Sequence, residues 1–109
     1  YGRRNWYVDR VVASSGFTGA RLADGEYNTT ATDNYHLEAK CLRDFTTLEE
    51  VKKWIDAIDN RWLVLVFHQI EDNPPGWGTS PQLFKDICDY IKQKQLEVVT
   101  IDQGIKKFL

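Results

Sequence analysis

The sequence predicts an α/β fold, a partial (β/α) barrel of about four mostly parallel strands with helices on the outer face. Three observations carry that expectation. Trp62-Leu-Val-Leu-Val-Phe67 is an unbroken apolar run, the pattern of a strand covered on both faces, as in parallel sheets. Helical periodicities alternate with such runs along the chain, which implies right-handed crossovers between parallel strands. The strand candidates are also too few to close a barrel of the usual eight.

The elements follow in order. Asn5 to Ser14 reads as a short helix: Asn5 can cap it, Val8, Val11 and Val12 form an apolar stripe, and Gly16 suits a left-handed position past its end. Phe17–Leu22 is a short strand candidate, and 23–34, with Asp24-Gly25 and Asn28-Thr-Thr, is loop by composition. Tyr35–Leu42 places Leu37, Ala39 and Cys41 on one side and is expected as a strand. Thr46 and Glu49 pair as a capping box ahead of a helix in which Leu48, Val51, Ile55 and Ile58 repeat at helical spacing through Asp59. The central strand Trp62–Phe67 comes next. Ser80-Pro81 then supplies an N-cap and a first-turn proline, and Phe84, Ile87, Cys88 and Ile91 make one face of a helix running to Lys94. Leu96–Ile101 is expected as the last strand, with Gln103–Phe108 as a short closing helix.

Bulk properties narrow the classes of function. At 109 residues, 42% hydrophobic and 28% charged, the chain has the make-up of one globular domain. A net charge of −2 with scattered Lys and Arg gives no basic stripe to neutralise phosphates, so nucleic acid is not an expected partner. The longest apolar run falls far short of the roughly 18 residues that would span a bilayer. Cys41 and Cys88 have no metal-site or disulfide-framework spacing and read as small buried hydrophobes. The chain contains no Met, so Tyr1 is not a translation start and the sequence is expected to be a piece of a longer polypeptide.

Candidate chemistry gathers after the central strand. His68 stands where strand gives way to loop, the usual place for ligands and catalytic groups in α/β layers, and imidazole is the side chain suited to proton transfer near neutrality. Trp77, within Pro74-Pro-Gly-Trp-Gly78, offers an aromatic face to a pyranose or else anchors the loop. Asp72 in the same loop can pair with His68 or Arg21, or simply make a turn. His36 reads as a surface residue beside a loop. The two histidines lie on different elements, and their spacing defines no metal site.

Several of these segments together resemble the C-terminal half of a polysaccharide deacetylase domain, the NodB-homology fold of carbohydrate esterase family 4, across nearly the whole chain (1–109). Trp62-Leu-Val-Leu-Val-Phe-His-Gln-Ile70 is similar to that family's last active-site strand with its terminal His. Ser80-Pro-Gln-Leu-Phe84 and Leu96-Glu-Val-Val-Thr-Ile-Asp102 resemble its closing helix and strand. Tyr1-Gly2 looks like the tail of its Arg-x-Pro-Tyr-Gly loop, and Gly16-Phe-Thr-Gly-Ala-Arg21 like the strand that follows.

The resemblance implies a distorted (β/α) barrel that removes N- or O-acetyl groups from a polysaccharide, with zinc or another divalent metal held by an Asp and two His and a neighbouring Asp as base. The family carries those residues in Thr-Phe-Asp-Asp-Gly and His-x-x-x-His segments upstream of the Arg-x-Pro-Tyr-Gly loop, and this chain has neither. It is therefore expected to be incompetent alone and to hold no metal itself. By resemblance His68 is the general acid that protonates the leaving group, the Tyr1 backbone amide is an oxyanion donor, and Arg21 orients an active-site carboxylate. An acetylated polysaccharide is the implied partner of the parent protein, and secretion or the cell envelope its implied place. The competing expectation is a non-catalytic carbohydrate-binding or protein-interaction module. In either case half a barrel leaves a strand edge and an apolar face uncovered, which predicts self-association, with a homodimer through the sheet edge.

Overall fold

The computed structural model describes residues 3–109. Its helices begin where the sequence offers a side-chain oxygen to an unpaired backbone N–H. Helix α1 (Trp6–Ser14) starts at Asn5, whose side chain accepts from the Val8 N–H at 2.9 Å, and Gly16 beyond its end takes a φ of 83°. Helix α2 (Leu48–Asp56) is capped by Thr47, which accepts from the Glu50 N–H. Thr46, the expected cap, is buried and accepts from the Arg43 N–H instead. The helix stops at Asp56, short of Asp59, because Asp59 and Asn60 both adopt left-handed backbone (φ 42° and 59°).

Helix α3 (Pro81–Gln93) uses the Ser80 cap and Pro81 first turn, and Gln95 (φ 55°) turns the chain just past it. Helix α4 (Ile101–Phe108) has a full capping box, in which Thr100 accepts from the Gln103 N–H and the Gln103 side chain accepts from the Thr100 N–H.

The sheet corrects the expected architecture. Among the described residues there is one two-stranded parallel ladder, β1 (Lys40–Cys41) with β2 (Leu65–Val66), and not a partial barrel of four strands. The reasons are local. In 61–67 the buried residues Trp62, Val64 and Val66 alternate with half-buried ones, so this run is covered on one face rather than two. The Phe17–Leu22 candidate keeps a single parallel bridge, Arg21 to Leu37, and Phe17 at its start is exposed. In 96–101 no strand forms: Val98 is 77% exposed, and the Thr100 capping box draws Ile101 into α4.

The backbone contacts divide the chain into two compact units. The first comprises the chain up to Lys40 with Asn60–Val64 and Val99–Leu109. Here Asn28, fully buried, does the work of a missing strand. Its backbone exchanges hydrogen bonds with Trp62 in both directions (2.8 and 2.9 Å), its side-chain amide donates to the Glu38 and Trp62 carbonyls, and its side-chain oxygen accepts from the Glu38 N–H. Leu37, Ala39 and Val64 are the buried aliphatics of this unit. Trp62 stacks on Phe108 at 6.0 Å, and Gly104 of α4 lies close against the indole.

The second unit comprises Cys41–Asp59 and Leu65–Val98. Helices α2 and α3 pack together, with Val51, Ile55 and Ile87 buried and Phe67 edge-on to Phe84 at 5.0 Å. The Tyr90 hydroxyl donates to Asp56 at 2.7 Å, and Lys94 pairs with the same carboxylate. The expectation of two buried thiols is corrected as well: Cys88 is exposed, because the buried stripe of α3 narrows to Ile87, and Cys41 on β1 is half-buried.

A Cβ on Gly104 would fall 2.3 Å from Trp62 Cζ2. Gly104→Ala is therefore expected to lower the urea midpoint, even though alanine favours a helix interior by about 1 kcal/mol over glycine. A raised midpoint would show that α4 does not pack as described. Ile87→Ala is expected to cost roughly 2–5 kcal/mol in the same measurement, since Ile87 is 1% exposed between its neighbours.

Candidate functional site

The chain past β2 leads to His68, which is exposed. The loop beyond it is closed at its base by the Thr79 N–H to the Gln69 carbonyl (2.9 Å) and the Glu71 N–H to the Thr79 carbonyl (3.1 Å). Its tip is a tight turn in which the Gly78 N–H donates to the Pro75 carbonyl, and Gly76 takes a φ of 45°. A positive φ at the first central residue of such a turn favours glycine. Gly78 passes so close to Pro74 that a Cβ there would lie 2.3 Å from the proline Cβ. The tip is held to the segment before α2 by the Asp44 N–H, which donates to the Gly76 carbonyl at 2.9 Å.

These constraints place Trp77. Its ring meets His68 edge-on at 5.4 Å, and the Arg43 guanidinium carbon sits 3.5 Å from its centroid. That distance is a close cation–π stack. Neither the His68 imidazole nor the Arg43 guanidinium makes a hydrogen bond or ion pair among the described residues. Both keep their polar atoms for solvent or a ligand. At the base of the loop the Thr79 hydroxyl is buried without a partner.

The other histidine is the opposite case. His36 Nε2 meets Asp9 at 3.1 Å and its Nδ1 meets Asp33 at 3.2 Å. Arg4 pairs with Asp9 and also donates to the Tyr35 carbonyl. Burial pushes the Asp9 carboxyl upward, but its bonds to Arg4 and His36 outweigh that and hold it below the ordinary range. Asp33 is lowered first by the Tyr35 N–H, which donates to it at 2.7 Å, and then by His36, against a smaller effect of burial. His36 is thus a clasp tying the first turn of α1 to the turn at 33–36, not a lone surface residue. Its signal in the sequence was the Asp33-Asn-Tyr-His36 turn; the Asp9 partner lies 27 residues away and left no local mark.

The residues singled out from the sequence divide as follows. His68 and Trp77 come together. Asp72 is exposed and makes no hydrogen bond or ion pair with His68. Arg21 lies in the first unit, exposed, with its guanidinium donating to the Leu22 carbonyl at 2.9 Å. Tyr1, the expected oxyanion donor, lies outside the described residues. Arg43 was missed, because only the bond between Asp44 and Gly76 brings it to the tip of a loop more than thirty residues on.

Among the described residues no group of three or more His, Cys, Asp or Glu is placed to hold a metal ion, and no helix is long and apolar enough to cross a membrane. Comparison with known proteins gives no match: no family model fits the chain, and no curated protein or solved structure matches it.

The clasp has a pH signature. A carboxyl whose folded pKa is depressed contributes stability above its unfolded value and loses that contribution as pH falls through the folded one. For Asp9 and Asp33 that window lies below the ordinary value of 3.8. The stability difference between the wild type and Asp9→Asn, measured by denaturant unfolding at successive pH values, is expected to be present at neutral pH and to shrink below 3.8. A difference that does not change with pH would contradict the clasp.

Proposed function

We propose that this chain supplies the proton-donor wall of a carbohydrate deacetylase, with His68 as general acid and Trp77 as a platform for the sugar. The observation that carries this reading is the contrast between the two imidazoles. His36 has both ring nitrogens against carboxylates, whereas those of His68 meet no protein group and its ring stands exposed beside an exposed tryptophan. In hydrolysis of an acetamide, water adds to the carbonyl carbon, the C–N bond breaks, and the departing nitrogen needs a proton. A protonated His68 can deliver it and be left neutral.

The described residues bring together no group of three or more His, Cys, Asp or Glu that fits the divalent metal implied by the resemblance; in this proposal its ligands and the base would belong to upstream segments of a parent protein. Within this reading Asp72 lies at the loop rim, and the parent acts at the cell envelope or outside the cell. Self-association is part of the same proposal, supported by apolar side chains left in water at Trp6, Tyr7, Phe17 and Val98.

A second reading is favoured by Trp77 itself, 42% exposed with Arg43 stacked on its ring. A rigid aromatic of this kind suits a non-catalytic carbohydrate-binding module. One pair of variants separates the two. In a polypeptide carrying these residues together with the upstream Asp-Asp and His-x-x-x-His segments, His68→Ala is expected to slow acetyl release by roughly 10²–10⁴-fold, the range for loss of a general acid, with sugar binding retained. Glycan binding that vanishes in Trp77→Ala, with acetyl release indifferent to His68→Ala, would instead establish the binding module.

A further inference from the structure

Helix α1 turns its aromatic side chains outward. None of its residues is buried, Trp6 is 75% exposed, and the Trp6 and Tyr7 rings meet edge-on at 6.0 Å. Arg10 follows Trp6 by one turn on the same exposed face, and Arg3 is exposed just ahead of the helix. Neither cation has a partner among the described residues. Asp9, the one carboxylate of α1, is drawn off this face into the clasp with Arg4 and His36. The outer face is thus aromatic and cationic, with no carboxylate of its own. Trp, Tyr and Arg are also the side chains that most often anchor protein interfaces.

The second unit carries the complement. The turn into α2 is closed by the Thr46 N–H to the Arg43 carbonyl (3.0 Å) and the Arg43 N–H to the Thr46 hydroxyl (2.9 Å). It holds Phe45 in water, 71% exposed. Asp44 on the same turn and Glu49 and Glu50 on the first turn of α2 are exposed as well. Asp44 and Glu50 meet no cation among the described residues, and Glu49 meets only Lys52 of its own helix, at 3.6 Å.

We infer that the self-association proposed above is heterologous: the outer face of α1 on one copy docks on the Phe45 turn and the acidic start of α2 on another. The inference rests on that self-association and not on the carbohydrate reading. Charge selects the pairing. Setting α1 against α1 would bring two cationic faces together, and setting the Phe45 turn against itself two acidic ones. The mixed contact places opposite charges around exposed aromatic rings.

Sedimentation equilibrium of the 109-residue chain at low and high salt tests this interface. Association is expected, and it weakens as salt rises. Arg10→Glu and Glu50→Arg are each expected to weaken it about tenfold, since each replaces an attractive contact with a like-charge one. Mixing the two variants is expected to restore association, because the first keeps its Phe45 turn unaltered and the second keeps its α1 face. Association that ignores salt and both substitutions would overturn the interface and leave self-association standing. Loss in Arg10→Glu alone would overturn it too, in favour of a contact that does not use the start of α2. A chain that stays monomeric at every concentration would sink both. Binding of that monomer to vesicles of phosphatidylserine and phosphatidylcholine would then give α1 a membrane surface as its partner. The salt series on the wild type needs no variant, so a poorly folded substitution does not blunt it.

Discussion

Polar groups removed from water must find partners, and that requirement sorts the side chains of this protein. Asn28, fully buried, has its backbone and side chain engaged by Trp62 and Glu38. The hydroxyl of Thr46, also buried, accepts from the Arg43 backbone N–H. His36 has a carboxylate at each ring nitrogen, and the guanidinium of Arg4 in turn holds Asp9. These groups are committed to the fold. His68 and Arg43 are not, and both meet the same indole. A protein that engages these buried and half-buried groups and leaves an imidazole and a guanidinium unengaged around one exposed tryptophan offers that trio to something else.

The trio depends on backbone more than on side-chain packing. Trp62, Val64 and Val66 are buried on alternate positions, and the next residue in that register is His68, where burial ends. The loop beyond it is fixed by short-range bonds at its base, two glycines at its tip and one tether to Asp44. Such a loop has little freedom to lose when a ligand arrives, and preorganisation of that kind favours binding. Cation–π stacking adds orientation at small cost, because the guanidinium keeps its donors in solvent.

Much of the local structure was legible in the residues, and the sheet was not. Asn5, Ser80-Pro81 and the stripe Val51, Ile55 announced three helices, because caps and periodicity act over a few residues. The shift from Thr46 to Thr47 as cap arose from competition: Thr46 is buried and bonded to Arg43, leaving its neighbour to start the helix. The apolar run Trp62–Phe67 misled, since an uninterrupted run looks the same whether one face is covered or two. Val98 and Thr100 misled in the other direction, because β-propensity at 96–101 lost to a capping box that a strand cannot use. His68 with Trp77 could be anticipated from a loop following a strand. Arg43 and the Asp9–His36–Asp33 clasp could not, since both are made by contacts between residues far apart in the chain.

The division of labour between the two imidazoles is open to direct observation by NMR of their ring nitrogens during addition of an N-acetylated oligosaccharide. The predicted outcome is that the ring signals of His68 move with ligand while those of His36 hold still. Movement at His36 with none at His68 would show that the site has been placed at the wrong histidine.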